Sequence, residues 1–222
     1  MENPAKSEEY AVLAAMDTTT ISDALDKLGI DGQCLGIKPL SPGFRMAGPA
    51  FTVRYVPCGT RGGTVGDYID DLAEGTVVVL DNQQRVDATV WGDILTIVAS
   101  RKRLGGTLID GVCRDAPRAL ELGYPIFSRG NYMRTGKDRV AVEAVACSVS
   151  IGGVRVDPGD YVFGDWDGAV VVPKEKIVQV AEIARTIEAA ENRIRQAVEA
   201  GQRLDDVRKA QRYHSLQTRN AT

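Results

Sequence analysis

The spacing of apolar positions changes character along the chain, and each change predicts an element. Residues 18–28 fit a helix, with Thr20 or Ser22 placed to cap its start and Gly29 to end it. Glycine and proline then punctuate residues 31–49. Residues 50–56 predict a strand, and the glycine-rich residues 57–66 predict a loop. The run of valines in residues 76–81 predicts a buried strand. Residues 88–102 predict a helix, with Val90, Ile94, Ile97 and Val98 near one face and Gly105-Gly106 beyond it as the stop. Residues 107–110 form the next expected strand. Pro117 suits the first turn of a further helix running to Gly123. Residues 124–128 read as a strand again. This alternation argues for parallel strands joined by right-handed crossovers.

After residue 140 the period shortens. Residues 140–151, 154–156, 161–164 and 169–172 predict short strands, with Gly152-Gly153, Pro158-Gly159 and Asp167-Gly168 supplying turns. A long helix follows over residues 174–200. Ile177, Val180, Ala184, Ile187, Ile194 and Val198 alternate in steps of three and four and mark its apolar seam. Position 191 belongs to that seam and is glutamate. A carboxylate in an apolar stripe is costly unless paired or metal-linked. Glu191 therefore either snorkels or pairs with Arg195, or it is delivered to a site, in particular one on a neighbouring subunit. The expected fold is one α/β domain with a second β layer, residues 1–173. Residues 174–222 form a C-terminal helix and tail that pack on a neighbouring subunit.

The 222 residues suffice for a sizeable core, and the net charge of −3 offers no global basic field to nucleic acid or an anionic membrane. The longest apolar runs fall far short of the roughly 20 residues that a membrane helix needs. The first ten residues lack the basic start and apolar stretch of a secretory signal. Cys34, Cys58, Cys113 and Cys147 are scattered, which suits reduced thiols in the cytoplasm. The one histidine, His214, stands in a polar tail. That argues against Ser-His-Asp and Cys-His chemistry and against a His-rich zinc site. A metal here would take oxygen ligands, which points to magnesium, manganese or calcium.

Arg114-Asp115 follows the strand over residues 107–110, and open α/β sheets place ligands beyond the carboxyl ends of their strands. Asp93 follows Trp91-Gly92 at the expected start of the preceding helix, where free backbone N–H groups favour anions.

These residues carry a resemblance. The chain resembles the family of 4-hydroxy-4-methyl-2-oxoglutarate/4-carboxy-4-hydroxy-2-oxoadipate aldolases and ribonuclease E regulator-like proteins over roughly residues 17–200. The match runs through Thr20-Ile21-Ser22-Asp23-Ala24-Leu25, Ala47-Gly48-Pro49-Ala50-Phe51-Thr52-Val53 and Trp91-Gly92-Asp93. It continues through Ile109-Asp110-Gly111-Val112-Cys113-Arg114-Asp115 and Gly152-Gly153-Val154. It ends with Val156-Asp157-Pro158-Gly159-Asp160 and Gly164-Asp165-Trp166-Asp167-Gly168. The most specific part is an aspartate, twenty residues, then Arg-Asp.

The resemblance implies a three-layer β/β/α swivelling-type domain with a long C-terminal helix, assembled as a homotrimer or hexamer. It implies a metal-dependent lyase that cleaves or decarboxylates a small 2-oxo acid with Mg²⁺ or Mn²⁺. Asp115 would ligate the ion and Asp93 would hold metal-bound water. Arg114 would bind the 2-oxo acid and stabilise developing enolate charge. Amides after Gly92, around Ile94 and Leu95, would hold the substrate carboxylate. Glu191, matched by position and by the neighbouring Arg193-Ile194-Arg195, would reach the adjacent subunit's site through water.

The regulator-like branch typically lacks the acidic residue after the arginine, so Asp115 favours catalysis over a non-catalytic role in RNA processing. One stretch departs from the aldolases. Their Gly-Asp-Asn loop and nearby histidine are replaced here by residues 57–68, where Arg61 could meet a distal carboxylate. A methyltransferase reading finds no glycine-rich strand-to-helix turn of the nucleotide-binding kind.

Overall fold

The computed structural model describes residues 7–60, 62–211, 213 and 218. Helices α1 (Glu8–Ala15) and α2 (Thr18–Leu28) come first. Gly29 ends α2 in the left-handed conformation, as its sequence predicts. Neither Thr20 nor Ser22 caps it. Asp17 holds the cap position, and the cap bonds come from far away in sequence. Asp165 accepts from the Thr18 N–H at 2.7 Å and from the Thr18 hydroxyl at 2.6 Å.

Strands β1 (Lys38–Pro39), β2 (Met46–Pro57) and β3 (Val77–Thr89) lead to helix α3 (Asp93–Arg101). Strand β4 (Gly106–Val112), helix α4 (Ala116–Leu122) and strand β5 (Ile126–Ser128) complete the alternating part. Strands β2, β3, β4 and β5 pair in parallel in that order. Helix α3 does not begin at Ala88. Ala88 and Thr89 continue β3, whose register slips twice and whose Gln83 and Gln84 take positive φ. Val90 and Trp91 are buried in the core, and the backbone turns helical only after Gly92. Their burial satisfies the apolar period that had suggested a longer helix.

The remainder is β6 (Val140–Val145), β7 (Val149–Ile151), β8 (Val154–Val156), β9 (Tyr161–Asp165) and β10 (Gly168–Val172), then helices α5 (Ile177–Glu199) and α6 (Leu204–Ala210). The main sheet runs β1-β5-β4-β3-β2-β9-β10, with β6 also on β2. Strand β2 is the seam of the mixed sheet. Its start pairs antiparallel with β9, its middle parallel with β3, and its end antiparallel with β6. Strand β1 comes beside β10, and the Lys38 ammonium donates to the Asp167 carbonyl at 2.7 Å, so the sheet nearly closes. The result is an α/β domain with a long C-terminal helix, consistent with the swivelling architecture.

Three apolar clusters fill it. Trp91, Ile109 and Tyr124 belong to the one under α3 and α4. Phe127, Val79 and Ile151 belong to the interior between the sheet and the β7–β8 hairpin. The third joins α1, α2 and α5 to β9 and β10. Ile177, Val180, Ala184, Ile187 and Ile194 of the predicted seam are buried, whereas Val198 is partly open. Helix α5 thus packs on α1 and α2 of its own chain. Among the described residues no helix is long and apolar enough to cross a membrane.

Candidate active site

Two crossovers meet at the carboxyl ends of β3 and β4. The Arg114 N–H donates to the Trp91 carbonyl at 2.9 Å, which ties the turn before α4 to the turn before α3. The Trp91 indole N–H donates to the Thr96 hydroxyl at 2.9 Å, and that hydroxyl donates to the Gly92 carbonyl at 2.9 Å. These bonds fix the first turn of α3 against the core.

Asp115 caps α4 in the left-handed conformation, φ 56° and ψ 36°, which Asp tolerates better than most residues. This backbone geometry turns its carboxylate toward α3. Asp115 Oδ2 accepts from the Asp93 N–H at 3.3 Å and lies 3.5 Å from Arg114 Nε. Gly92 makes room for that approach. A Cβ there would stand 2.9 Å from Asp115 Oδ2 and 3.2 Å from Arg114 Nε. Its φ of −148° would suit any residue, so space is the reason for glycine. Asp93 and the adjacent pair Arg114-Asp115, 22 residues from Asp93 at Asp115, are therefore brought together.

Asp93 Oδ1 accepts from the Ile94 N–H at 2.8 Å, so an incoming carboxylate must displace it to use that amide. Ile94 itself is 73% exposed at the mouth. Arg114 and Asp115 are each half-exposed, which leaves the guanidinium accessible to ligand. Beside them lies a cleft of about 220 Å³ lined by Gly92, Asp93, Ile94, Leu95 and Arg114, and by Asp67 from a separate loop. Val65, Gly66, Thr89 and Thr135 also reach it. Periodicity and motif spacing give no signal for Asp67 or Thr135. Thr135 comes here through a bridge between Thr89 and Thr135, and the loop of Asp67 is tied to β2 by the Tyr55 hydroxyl, which donates to the Val65 carbonyl at 2.8 Å.

Glu191 is not among the residues lining this cleft. In its own chain it pairs with Arg195 at 2.7 Å, and its side chain is 19% exposed. Arg61 and His214 lie outside the described residues. Among the described residues no group of three His, Cys, Asp or Glu side chains could cage a metal. The Asp93–Asp115 pair offers hard oxygen donors of the kind that suit Mg²⁺, which often uses one or two carboxylates and completes its shell with water and substrate. The donor set fits that ion and does not form an all-protein cage.

Fold and cleft together define an α/β domain with acidic and cationic groups at the carboxyl ends of parallel strands. The chain belongs to the Aldolase/RraA (RraA-like) family, whose profile matches residues 18–171. It is 40% identical over 195 residues to protein DlpA of Legionella pneumophila, covering 86% of this chain but only 32% of that one. The chain thus spans about a third of DlpA. It is 32% identical to a protein of Halalkalibacterium halodurans provisionally named 4-hydroxy-4-methyl-2-oxoglutarate aldolase, covering 79% of this chain and 83% of that one. Among solved structures it resembles RraAS2 of Streptomyces coelicolor, described as an unusual member of the RNase ES inhibitor RraA family. That match has 31% identity, a TM-score of 0.79, and coverage of 86% of this chain and 97% of that one.

Proposed function

We propose that this protein is a divalent-metal-dependent carbon–carbon lyase acting on a small 2-oxo acid, by retro-aldol cleavage that releases pyruvate or by decarboxylation of oxaloacetate. The observation that carries the reading is the convergence of Asp115 Oδ2 on the Asp93 N–H and Arg114 Nε at the start of α3. The similarity to a protein provisionally named as an aldolase of a 2-oxo acid supports it.

Asp115, with Asp93 through water, would hold Mg²⁺ or Mn²⁺. The ion would supply Lewis acidity toward the 2-oxo oxygen. Arg114 binds the 2-oxo acid and adds fixed positive charge where negative charge develops during cleavage. The first amides of α3, at Ile94 and Leu95, receive the substrate carboxylate. Glu191 acts with Asp93 in positioning the proton that the product must gain, and it does so from an adjacent subunit. The assembly is a homotrimer or hexamer.

Pyruvate release from oxaloacetate, measured with Mg²⁺ and with EDTA, tests the reading. Metal-stimulated release lost on chelation is expected. Equal rates in both arms would remove metal-dependent chemistry from the site. A second reading, a non-catalytic regulator of an RNA-processing enzyme, draws on the similarity to RraAS2. Inhibition of a ribonuclease by a chain inert toward every 2-oxo acid offered would favour it.

A further inference from the structure

The carbonyl groups of Trp91 and Gly92 are consecutive along the chain and serve different halves of the candidate site. That of Trp91 accepts from the Arg114 N–H at 2.9 Å, which sets the backbone that carries the guanidinium. That of Gly92 opens α3. It accepts from the Thr96 N–H at 3.1 Å and from the Thr96 hydroxyl at 2.9 Å. The amides of the first turn have no carbonyl partner inside the helix, and their direction follows from how this turn is held.

Thr96 is 1% exposed and is not among the residues lining the cleft. A helical threonine often bonds back to the carbonyl four residues earlier. Here a second bond makes that contact directional. The Trp91 indole N–H, which can only donate, gives its proton to the Thr96 hydroxyl at 2.9 Å. The hydroxyl is left to donate to Gly92. The indole is fixed in its turn. Its ring stacks on that of Tyr124, with centroids 6.2 Å apart and planes 7° from parallel. The Tyr124 hydroxyl lies 2.9 Å from the Thr107 hydroxyl of β4. Phenylalanine and valine would supply the apolar contacts of Trp91 and Thr96 without a polar atom. A buried indole N–H and hydroxyl are costly unless paired. Paired, they tie the end of β3 and the first turn of α3 into one rigid corner.

We infer that Thr96 is a positioning residue for the candidate site. Through the Trp91 indole and the Gly92 carbonyl, it holds the α3 amides at a set distance from Arg114 and so aligns the two groups that receive one 2-oxo acid. The inference rests on the lyase reading for the nature of that ligand.

Thr96→Val keeps the side chain's shape and removes its hydroxyl. A displacement of about 1 Å costs a reaction on the order of 100-fold. The kcat for Mg²⁺-dependent pyruvate release from oxaloacetate should therefore fall about tenfold or more. KM should stay within about twofold, since the loss lies in alignment rather than in uniform binding. Thr96→Ser should restore kcat. Thr96→Val also strands the indole N–H, so lost stability would mimic lost alignment. Trp91→Phe/Thr96→Val removes both partners. In urea unfolding, Thr96→Val should cost less stability when added to Trp91→Phe than when made alone, whereas kcat should fall in both settings.

A signature independent of turnover is the indole N–H resonance of Trp91, told from that of Trp166 with Trp166→Phe. It should shift when pyruvate is added with Mg²⁺. Thr96→Val should suppress the shift and Thr96→Ser should keep it. A protein that shows this behaviour yet releases no pyruvate from any 2-oxo acid would sink the lyase reading and sustain the inference. Full kcat in Thr96→Val would overturn it, as would an equal loss in Thr96→Ser. So would a kcat that recovers along with stability in Trp91→Phe/Thr96→Val, or an indole resonance that pyruvate leaves unmoved.

Discussion

The carboxylate of Asp115 reaches the backbone N–H of Asp93 at 3.3 Å, so the start of α4 is fastened to the start of α3 by a charged group. Asp115 holds a left-handed backbone conformation to do this, φ 56°. Asn tolerates that conformation too. Asp115→Asn therefore removes charge while sparing the backbone. We predict that it abolishes metal-dependent pyruvate release and changes the unfolding free energy, measured by urea titration, by no more than about 0.5 kcal/mol. Gly92→Ala should lower the same activity without removing any charge, because its Cβ would crowd Asp115 Oδ2 at 2.9 Å. Full activity in Asp115→Asn would take this residue out of the metal site.

Arg114 presents a half-exposed guanidinium to the same cleft. Arg114→Ala should lower kcat/KM for oxaloacetate by about two orders of magnitude, the usual loss when one donor to developing negative charge is removed. Arg114→Lys should fall between, since a lysine keeps charge but not the planar fork. Steady-state kinetics decide. A change within about twofold, under ~0.5 kcal/mol, would make Arg114 structural.

How much of this was legible depends on where the decisive contact lies. Helix α2 and the α5 seam were readable because their buried residues recur at helical spacing within one segment. Helix α1 was not, since Leu13 is its one buried residue and leaves no period to find. The start of α3 was misread because Val90 obeys helical spacing while lying in extended chain, buried with Trp91 in the sheet-side core. The true cap of α2 was invisible for a different reason: Asp165 is supplied from 147 residues away. At the site, the Asp93 and Arg114-Asp115 motif could be read, whereas Asp67 belongs to a loop without period. Its loop is held by the Tyr55 hydroxyl of β2, which donates to the Val65 carbonyl.

A buried ion pair secures the β7–β8 hairpin. Asp110 is 2% exposed; one oxygen pairs with Arg129, and the other accepts from the Gly152 N–H at 2.9 Å. Breaking a buried pair strands the remaining charge and costs about 3 kcal/mol or more. Asp110→Ala should therefore lower the urea midpoint strongly. Asp110→Ala combined with Arg129→Met should recover part of the loss, since the unpaired cation goes too. A single variant as stable as the parent would show that the pair contributes nothing.

The thiols set a pH dependence. Burial raises Cys34 from 9.0 to about 12, with Asp110 adding to the effect, and burial raises Cys113 from 9.0 to about 11. Above pH 9 the unfolded chain releases these protons while the folded chain holds them. Stability present below pH 9 is therefore lost as pH rises toward 11–12. Burial of Tyr55, Tyr68 and Tyr124 acts in the same direction from about pH 10. Urea midpoints measured from pH 8 to 11 should fall. The Cys34→Ala/Cys113→Ala variant should fall less steeply between pH 9 and 10. An identical slope in both proteins would assign the decline elsewhere.

The last prediction concerns Glu191, whose place on the α5 seam suggested a site role while, among the described residues of its own chain, it pairs with Arg195. Helix α5 packs on α1 and α2, and no residue of α5 lines the cleft that holds Asp93. If Glu191 works, it must work on a neighbour. Two inactive variants can show this. Glu191→Gln keeps an intact Asp115, and Asp115→Asn keeps an intact Glu191. Mixed assemblies place an intact Asp115 in one subunit beside an intact Glu191 from the next. Co-expression should then restore pyruvate release that neither variant gives alone. A role within one chain predicts no restoration, because every subunit still lacks one of the two carboxylates. Wild-type activity in Glu191→Gln alone would leave its pairing with Arg195 as its whole purpose.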